Sequence, residues 1–94
     1  MNEDDFEWDD DKAAHNLAAH GVSFEAATEV FKDPFAIEYE DNREHYGEDR
    51  YVIIGMVDDR LLCVAYPQRN GTIRIISARG AEPHEGRRYH EDNA

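Results

Sequence analysis

The stretch from Thr72 to Arg79, Thr-Ile-Arg-Ile-Ile-Ser-Ala-Arg, constrains the fold more than any other part of the chain. Its Thr and Ile residues make it the most strand-like run in the sequence. Arg74 lies in the middle of this run, and an arginine in an apolar strand costs desolvation free energy unless its face is open to water or paired with an anion. The stretch therefore predicts a sheet with a cationic working face, or an arginine paired with one of the 22 acidic residues.

The charge of the chain is unevenly distributed. The formal net charge of −12 argues against tight, nonspecific binding of nucleic acid by the whole surface. Residues 1–11 contain seven acids and no base, whereas residues 60–81 contain four arginines and no acid. A cationic segment on an acidic protein predicts a local anion-binding site.

Length and cysteine content limit the class of protein. The 94 residues predict a single domain, 1–94, with residues 1–5 and 90–94 frayed. The single cysteine, Cys63, excludes an internal disulfide and lies in an apolar run, which predicts a small buried side chain. No signal-peptide pattern is visible and no apolar run reaches membrane-spanning length, so we expect a cytoplasmic protein without a membrane partner.

Hydrophobic periodicity in the first third of the chain predicts a short strand and two helices. Residues 6–8 alternate as an edge strand with Phe6 and Trp8 inward. A first helix is expected over about residues 10–19, capped by Asp9 or Asp10. Its predicted apolar stripe consists of Ala13, Ala14, Leu17 and Ala18. A second helix is expected over residues 24–32, between a Ser23 cap and the breaker Asp33-Pro34.

The period then changes to that of strands. Residues 35–39 predict a half-exposed strand, residues 41–49 a polar loop, and residues 51–57, 61–66 and 72–78 an antiparallel meander joined by short turns, the second at residues 67–71. Pro83 begins a short C-terminal helix that ends near Tyr89. The order predicts an α+β fold in which two N-terminal helices cover one face of a small antiparallel sheet and leave the other face free to bind.

The residues that remain for chemistry are mostly basic. No metal-ligand spacing, glycine-rich phosphate loop or Cys-x-x-Cys pair stands out. Cleavage of an RNA phosphodiester requires phosphate binding and charge stabilisation, which arginines provide, and proton transfer, for which His, Lys, Tyr or Glu serve. The candidates are Lys12, His20, Arg50, Tyr66, Arg74, Arg79 and Glu85.

Several of these candidates have an equally ordinary structural interpretation. Lys12 is compatible with an exposed lysine in a first helical turn, and His20 with a histidine at a helix C-terminus. Tyr66 is compatible with packing at a strand end, and Glu85 with a helix-surface acid. Arg74 and Arg79 are five residues apart and would lie on opposite faces of an ideal strand, so they converge only if the chain bends near residues 77–79.

Two patterns in order resemble one family. The first pattern is Phe6-x-Trp8-Asp9-x-x-Lys12-x-x-x-Asn16-x-x-x-His20-Gly21-Val22-Ser23-Phe24-Glu25-x-Ala27. The second consists of Glu48-x-Arg50, Ile54-Gly55, Leu61-Leu62, Arg74-Ile75-Ile76-Ser77-Ala78-Arg79, Glu85 and Tyr89. Together they resemble BrnT toxins, a ribonuclease branch of the RelE/ParE-like superfamily, over almost the whole chain.

The resemblance implies a type II toxin whose fold is a small antiparallel sheet with two N-terminal helices on one face. It implies a metal-independent endoribonuclease, without a cofactor, that is neutralised in a hetero-oligomer by a BrnA-like ribbon–helix–helix antitoxin. Operator DNA is then bound only through the antitoxin. In this hypothesis Arg74 and Arg79 bind the scissile phosphate, His20 and Lys12 move protons or contact phosphate, and Arg50, Tyr66 and Glu85 give support.

The chain also departs from the family pattern. Ala19 stands where a lysine usually precedes His-Gly, and residues 80–86 replace most of a basic run, leaving Arg87 and Arg88. Because RNA affinity comes largely from phosphate contacts, the alternative hypothesis is a catalytically weak binding module that mainly binds an antitoxin and co-represses its operon. A third hypothesis, an acidic mimic of nucleic acid, predicts a continuous acidic face with Arg74 and Arg79 held in ion pairs.

Overall fold

In the computed structural model, three helices and seven strands lie within the described residues 2–3, 5–41 and 47–94. The helices are α1 (Asp10–His20), α2 (Phe24–Val30) and α3 (Pro83–Asp92). The strands are β1 (Asn2–Glu3), β2 (Phe6–Glu7), β3 (Ile37–Glu40), β4 (Arg50–Val57), β5 (Arg60–Arg69), β6 (Thr72–Arg74) and β7 (Ser77–Gly80). The predicted α+β class is confirmed, and the predicted loop at 41–49 falls largely on residues 42–46, outside the described residues.

The two N-terminal helices begin at the predicted caps. The Asp9 carboxylate accepts a hydrogen bond from the Lys12 backbone N–H at 2.9 Å, and the Ser23 hydroxyl accepts one from the Ala26 N–H at 3.0 Å. Gly21 follows α1 with a φ of 69°, a left-handed conformation that lacks a steric cost for glycine. Helix α2 ends two residues earlier than predicted, because residues 31–33 form tighter turns with i to i−3 hydrogen bonds.

The sheet has the order β1-β2-β6-β5-β4-β3, and β7 also pairs with β5. The pairs among these strands are antiparallel except that of β2 with β6, in which Phe6 lies opposite Ile73. The aromatic side chains of residues 6–8 point inward as predicted, with Trp8 only 3% exposed. The expected edge position of this strand is wrong, since β1 pairs with its outer side.

Side chains cover both sides of the sheet. On one side, which we call the helix side, Ile53, Leu62, Val64 and Tyr66 pack in one core with Phe24, Ala27 and Val30 of α2. On the opposite side, which we call the α3 side, Val52, Ile54 and Cys63 pack with Tyr89. The prediction of a face left free for binding is therefore wrong for the part that α3 covers, and it holds only where the sheet extends beyond α3.

The predicted strand 72–78 is interrupted. Thr72 of β6 lies opposite Arg69, and Ser77 of β7 lies opposite Ala65. The chain therefore advances five residues from Thr72 to Ser77, whereas β5 advances only four between their partners. One extra residue at Ile75–Ile76 is the geometry of a β-bulge. Because side chains alternate along a strand, the extra residue reverses the alternation and places Arg74 and Arg79 on the same side of the sheet, the α3 side.

The outer edge of β7 is covered by a side chain instead of a strand. The Asn16 amide nitrogen donates to the Ala78 carbonyl at 2.8 Å, and the Ala78 N–H donates to the Asn16 oxygen at 3.1 Å. The amide nitrogen also donates to the Val22 carbonyl at 2.9 Å. Asn16 thus takes the place of a neighbouring strand, so the predicted strand 72–78 lies at an edge of the sheet along β7.

The same contact explains why the predicted stripe of α1 is wrong except at Ala13, which packs against the core. Asn16 is buried, whereas Leu17 is 50% exposed and Ala14 and Ala18 are also exposed. Helix α1 lies against the polar backbone edge of β7, so its buried position requires an amide instead of an alkyl group.

Strand β5 and helix α3 both extend beyond their predicted ends. Strand β5 continues to Arg69, and only Asn70-Gly71 forms the turn, with φ of 53° and 80° at the two residues. An Asn-Gly pair with positive φ favours a two-residue hairpin, which shortens the turn predicted at 67–71. Helix α3 continues to Asp92, three residues beyond its predicted end. The fraying predicted for the chain ends stays a prediction.

Candidate active site

A cavity of about 320 Å³ lies on the α3 side, between the first turn of α3 and strands β5 and β7. Its lining includes Tyr39, Ala65, Ser77, Arg79, His84 and Glu85. Two of the predicted site residues, Arg79 and Glu85, therefore meet in one cavity. The cavity is small and polar, and its lining also includes the acids Glu40, Asp41 and Glu82 beside its one arginine.

Arg79 is held at the cavity wall by Glu85. The two terminal nitrogens of the guanidinium donate to the two Glu85 oxygens at 2.8 Å and 3.0 Å, a bidentate pair. One nitrogen also donates to the Gly80 carbonyl at 3.2 Å, and Glu82 lies 3.6 Å from the other. These contacts fix the plane of the guanidinium.

Glu85 is buried, with only 5% of its surface exposed. It accepts hydrogen bonds from the Glu82 backbone N–H at 2.8 Å and from the Cys63 thiol at 3.4 Å, in addition to those from Arg79. Burial alone would raise the pKa of the carboxyl, but hydrogen bonds from Arg79 and Glu82 outweigh it and lower the pKa to about 2. The hydrogen bond to Glu85 in turn raises the pKa of Arg79. Both groups are charged at neutral pH.

A second group of arginines lies on the same side of the sheet, beyond the cavity. Arg74 donates to Glu7 at 2.6 Å, and Arg69 donates to both oxygens of Glu48 at 2.7 Å and 3.0 Å. Arg50 of β4 lies opposite Pro67 of β5. Arg74 lies on the other flank of β5 at the same level, since the neighbouring pair is Gln68 with Ile73. Arg74 is four residue positions along β5 from Arg79, about 13 Å, and is not in the same cavity.

Lys12 and His20 approach β7 from its other edge. Both are exposed on α1 and line a separate cavity of about 390 Å³ together with Ile76 and Ser77. Ser77 lines both cavities, so the α1 residues flank the strand that carries Arg79. The structure therefore brings Lys12 and His20 to the neighbourhood of the Arg79 cavity without placing them in it.

Tyr66 lies on the helix side, away from Arg79. It is 3% exposed, its hydroxyl donates to Glu38, and its ring packs 5.1 Å from Phe31 and 5.8 Å from Tyr51 between centroids. Burial and the Glu38 hydrogen bond raise the pKa of the hydroxyl. These contacts match the packing interpretation of Tyr66.

Comparison with known proteins identifies the family. The model of a family described as "Ribonuclease toxin, BrnT, of type II toxin-antitoxin system" matches residues 8–85. The chain belongs to the BrnT family. None of the curated proteins compared with the chain matches it. Membership confirms the resemblance and indicates a ribonuclease toxin that has an antitoxin partner.

The structure gives physical roles to residues of the BrnT-like patterns. Asn16 holds the edge of β7, Gly21 ends α1, and Glu85 holds Arg79. Residues 80–86, where the resemblance had implied a basic run, end β7 and begin α3. Of the two remaining cations, Arg88 lies 4.4 Å from the centre of the Tyr39 ring, a cation–π contact.

His84 is a cavity residue that the sequence prediction missed. It is the second residue of α3, exposed, and lines the cavity with Arg79. In the sequence, His84 stands out only through its spacing from His90, which suits no metal. The sequence signal that points to the cavity is Pro83, since proline favours the first position of a helix and so places the next residues in the first turn, beside Arg79.

The donor atoms of Glu82, His84 and Glu85 lie within 4.8 Å of one another, as the ligands of a metal ion would. Both oxygens of Glu85 already accept hydrogen bonds from Arg79. A cation at this point would face the guanidinium charge at close range, which is strongly unfavourable. The set fits a guanidinium better than a metal ion.

No helix within residues 2–3, 5–41 and 47–94 is long and apolar enough to cross a membrane.

Proposed function

We propose that this BrnT-family protein is a metal-independent endoribonuclease toxin that cleaves RNA at the Arg79 cavity. The observation that carries the proposal is the bidentate Arg79–Glu85 pair at the wall of a cavity that also contains Ser77 and His84. Family membership supports the reaction class. A charged, oriented guanidinium beside a titratable side chain supplies two of the groups that phosphodiester cleavage needs.

In this mechanism the 2′-oxygen of the RNA bonds to phosphorus and its proton goes to a base. The bond from phosphorus to the 5′-oxygen breaks, and an acid protonates the leaving oxygen. Arg79 binds the phosphate and stabilises the added negative charge, while Glu85 orients Arg79. His84 is the proton-transfer candidate inside the cavity, with Lys12 and His20 on its flank, and replacing His84 with Ala should alter the pH profile of cleavage.

The partner in the proposal is a BrnA-like ribbon–helix–helix antitoxin, which forms a hetero-oligomer with the toxin in the cytoplasm. Operator DNA is bound through the antitoxin, because the toxin has a net charge of −12 and repels nucleic acid outside its arginine-bearing face. Family membership supports an antitoxin in general. Co-purification with the product of an adjacent gene tests the identity of the partner, and its failure to bind would contradict this part.

The Arg79→Ala variant tests the site. Loss of one electrostatic donor should raise the barrier by about 3–4 kcal/mol, or lower the rate of RNA cleavage by about 10²–10³. Arg79→Lys should recover only part of the rate, because an ammonium cannot bind in two-pronged fashion. The measurement is cleavage of RNA by purified protein, together with growth arrest on expression.

Arg60→Ala is the matched control for this test. Arg60 lies on β5 like the cavity residues, but it is exposed and on the helix side, where it lies beside Gly80. Its removal changes the net charge equally and should leave cleavage intact. Arg79→Ala that stays folded and remains as toxic as wild type would contradict the assignment.

The second candidate function is a binding module with little catalysis. The observation that favours it is that Arg74 and Arg79 both have carboxylate partners, Glu7 and Glu85. A harmless wild type that binds its antitoxin but cleaves no RNA would establish this alternative in place of the enzyme. The ion pairs are also those expected of an acidic nucleic-acid mimic, but family membership favours a toxin.

A further inference from the structure

We propose that Arg69 and Arg74 form a second phosphate-binding subsite, which holds single-stranded RNA away from the point of cleavage. This inference rests on the proposed ribonuclease function and extends it to the length of the substrate. The sequence-based hypothesis assigned both Arg74 and Arg79 to the scissile phosphate. In the present proposal only Arg79 binds that phosphate, and Arg74 binds another one.

The bulge makes the subsite possible. With the alternation reversed at Ile75–Ile76, Arg74 points to the same side as Arg79. Arg69 is opposite Thr72, so Arg69 and Arg74 are diagonal neighbours across two strands and their side chains lie within reach of one ligand. Both positions lie beyond the part of the sheet that α3 covers.

The sheet surface between the two subsites carries small side chains. Ala65 and Ser77 face each other on the α3 side between Arg79 and Arg74, and both line the Arg79 cavity. Small side chains at this point leave a continuous path from one arginine to the other, about 13 Å long. Such a length exceeds a single phosphodiester, so a ligand that contacts both ends has a repeating phosphate backbone.

The ion pairs of Arg69 and Arg74 are partly accessible to water, so their carboxylate partners can be replaced by another anion. The side chains of Arg74 and Arg69 are 29% and 49% exposed, and those of their partners Glu7 and Glu48 are 31% and 32% exposed. Water screens ion pairs that are partly exposed, so a phosphate can replace a carboxylate at modest cost. The hydrogen bond from Arg69 lowers the pKa of Glu48, with smaller effects of Arg50 and Arg74, which indicates that three guanidinium groups share this region.

The test is binding of a fluorescent 2′-O-methyl oligonucleotide, which the proposed mechanism cannot cleave. In the Arg69→Ala/Arg74→Ala double variant, Kd should increase at least about tenfold, and the slope of log Kd against log salt should fall by about 0.7 for each phosphate that the variant no longer binds. The double variant should also lower kcat/KM more for cleavage of an oligoribonucleotide than for cleavage of a dinucleotide, because only the longer substrate reaches the subsite. The Lys32→Ala/Arg60→Ala double variant, which removes two exposed cations elsewhere, is the control of equal charge and should change neither Kd nor slope.

A variant of opposite sign separates RNA binding from a structural role. Glu48→Gln frees Arg69 from its carboxylate and should tighten oligonucleotide binding several-fold. If the pairs were only structural, Glu48→Gln would leave Kd unchanged. An unchanged Kd and salt slope in the double variant, with wild-type cleavage intact, would overturn the subsite alone. A wild type that neither binds nor cleaves RNA would overturn the proposed function as well.

Discussion

At the scale of single residues, Glu85 connects several parts of the candidate site through hydrogen bonds. It is a buried acid on a short helix, and it joins Arg79, the backbone at Glu82 and the thiol of Cys63. A buried carboxylate is retained only where such partners replace water. Its identity as an acid was readable in the sequence, but its burial was not, because position on the outside of a predicted helix indicated a surface residue.

The pH dependence of stability should report the Arg79–Glu85 pair. The pKa of Glu85 is lowered from 4.5 to about 2 in the folded protein, so the carboxylate stabilises the fold above about pH 4.5 and this stabilisation is lost as pH falls toward 2. Glu85→Gln should reduce the free energy of unfolding at neutral pH by on the order of 2–3 kcal/mol. The difference between the two proteins should shrink below about pH 4.5.

Denaturant titrations across this pH range measure the effect. Glu25→Gln, which removes an exposed acid of α2, is the control for loss of one negative charge. A difference between wild type and Glu85→Gln that stays constant down to pH 2 would show that the charge of Glu85 does not stabilise the fold.

At the scale of elements, the edge of β7 is the point where the fold depends on a polar side chain. Asn16 of α1 bonds to both backbone groups of Ala78 and to the Val22 carbonyl. The next residue of the same helix, Leu17, is half exposed. The helix therefore fixes the strand that carries Ser77 and Arg79 through hydrogen bonds, and apolar packing at its own stripe has a smaller part.

Replacing the polar Asn16 should destabilise the protein more than replacing the apolar Leu17, which is the reverse of the usual order for a helix that packs through apolar side chains. Asn16→Ala leaves buried backbone groups without their partner and should lower the free energy of unfolding by about 2–4 kcal/mol. Leu17→Ala should lower it by less than about 1 kcal/mol, because much of the side chain is already in water. Chemical denaturation of the two variants measures both values. Equal losses, or a larger loss for Leu17→Ala, would contradict the edge-covering role of Asn16.

At the scale of the whole molecule, charge and topology divide the surface. The described acids Asp5, Asp9, Asp10 and Asp11 are exposed at the start of α1, whereas Arg69, Arg74 and Arg79 lie on the α3 side of the sheet. Under the proposed function, the acidic surface repels RNA and suits a cationic protein segment, and the arginine-bearing surface holds the RNA phosphates. This division is compatible with a toxin that handles an antitoxin and an RNA with different parts of its surface.

Association with a cationic antitoxin segment should depend on this acidic end. Steering by exposed charges weakens with ionic strength, so the on-rate should fall by on the order of tenfold as salt is raised. Asp10→Asn/Asp11→Asn should lower the on-rate at low salt. Asp58→Asn/Asp59→Asn, an equal charge change at the β4–β5 turn, should have less effect. Stopped-flow association measures these rates, and an on-rate independent of salt would exclude steering.

The sequence by itself determined the class of fold and the family. Caps at Asp9 and Ser23, the stop after α1 at Gly21 and the alternating strands are local signals, and they specify element types without knowledge of neighbours. The two BrnT-like patterns indicated a ribonuclease toxin. The cationic run 60–81 predicts a local anion-binding site. Metal independence, the antitoxin's identity and the site roles stay predictions.

The tertiary structure decided which residues meet. The bulge at Ile75–Ile76 places Arg74 and Arg79 on one side of the sheet, whereas the alternation of an ideal strand would separate them. The burial of Asn16 and Glu85 and the approach of His84 to Arg79 depend on contacts between distant segments. Local patterns contain no information on such contacts, because the free energy that selects them is realised only when the elements pack.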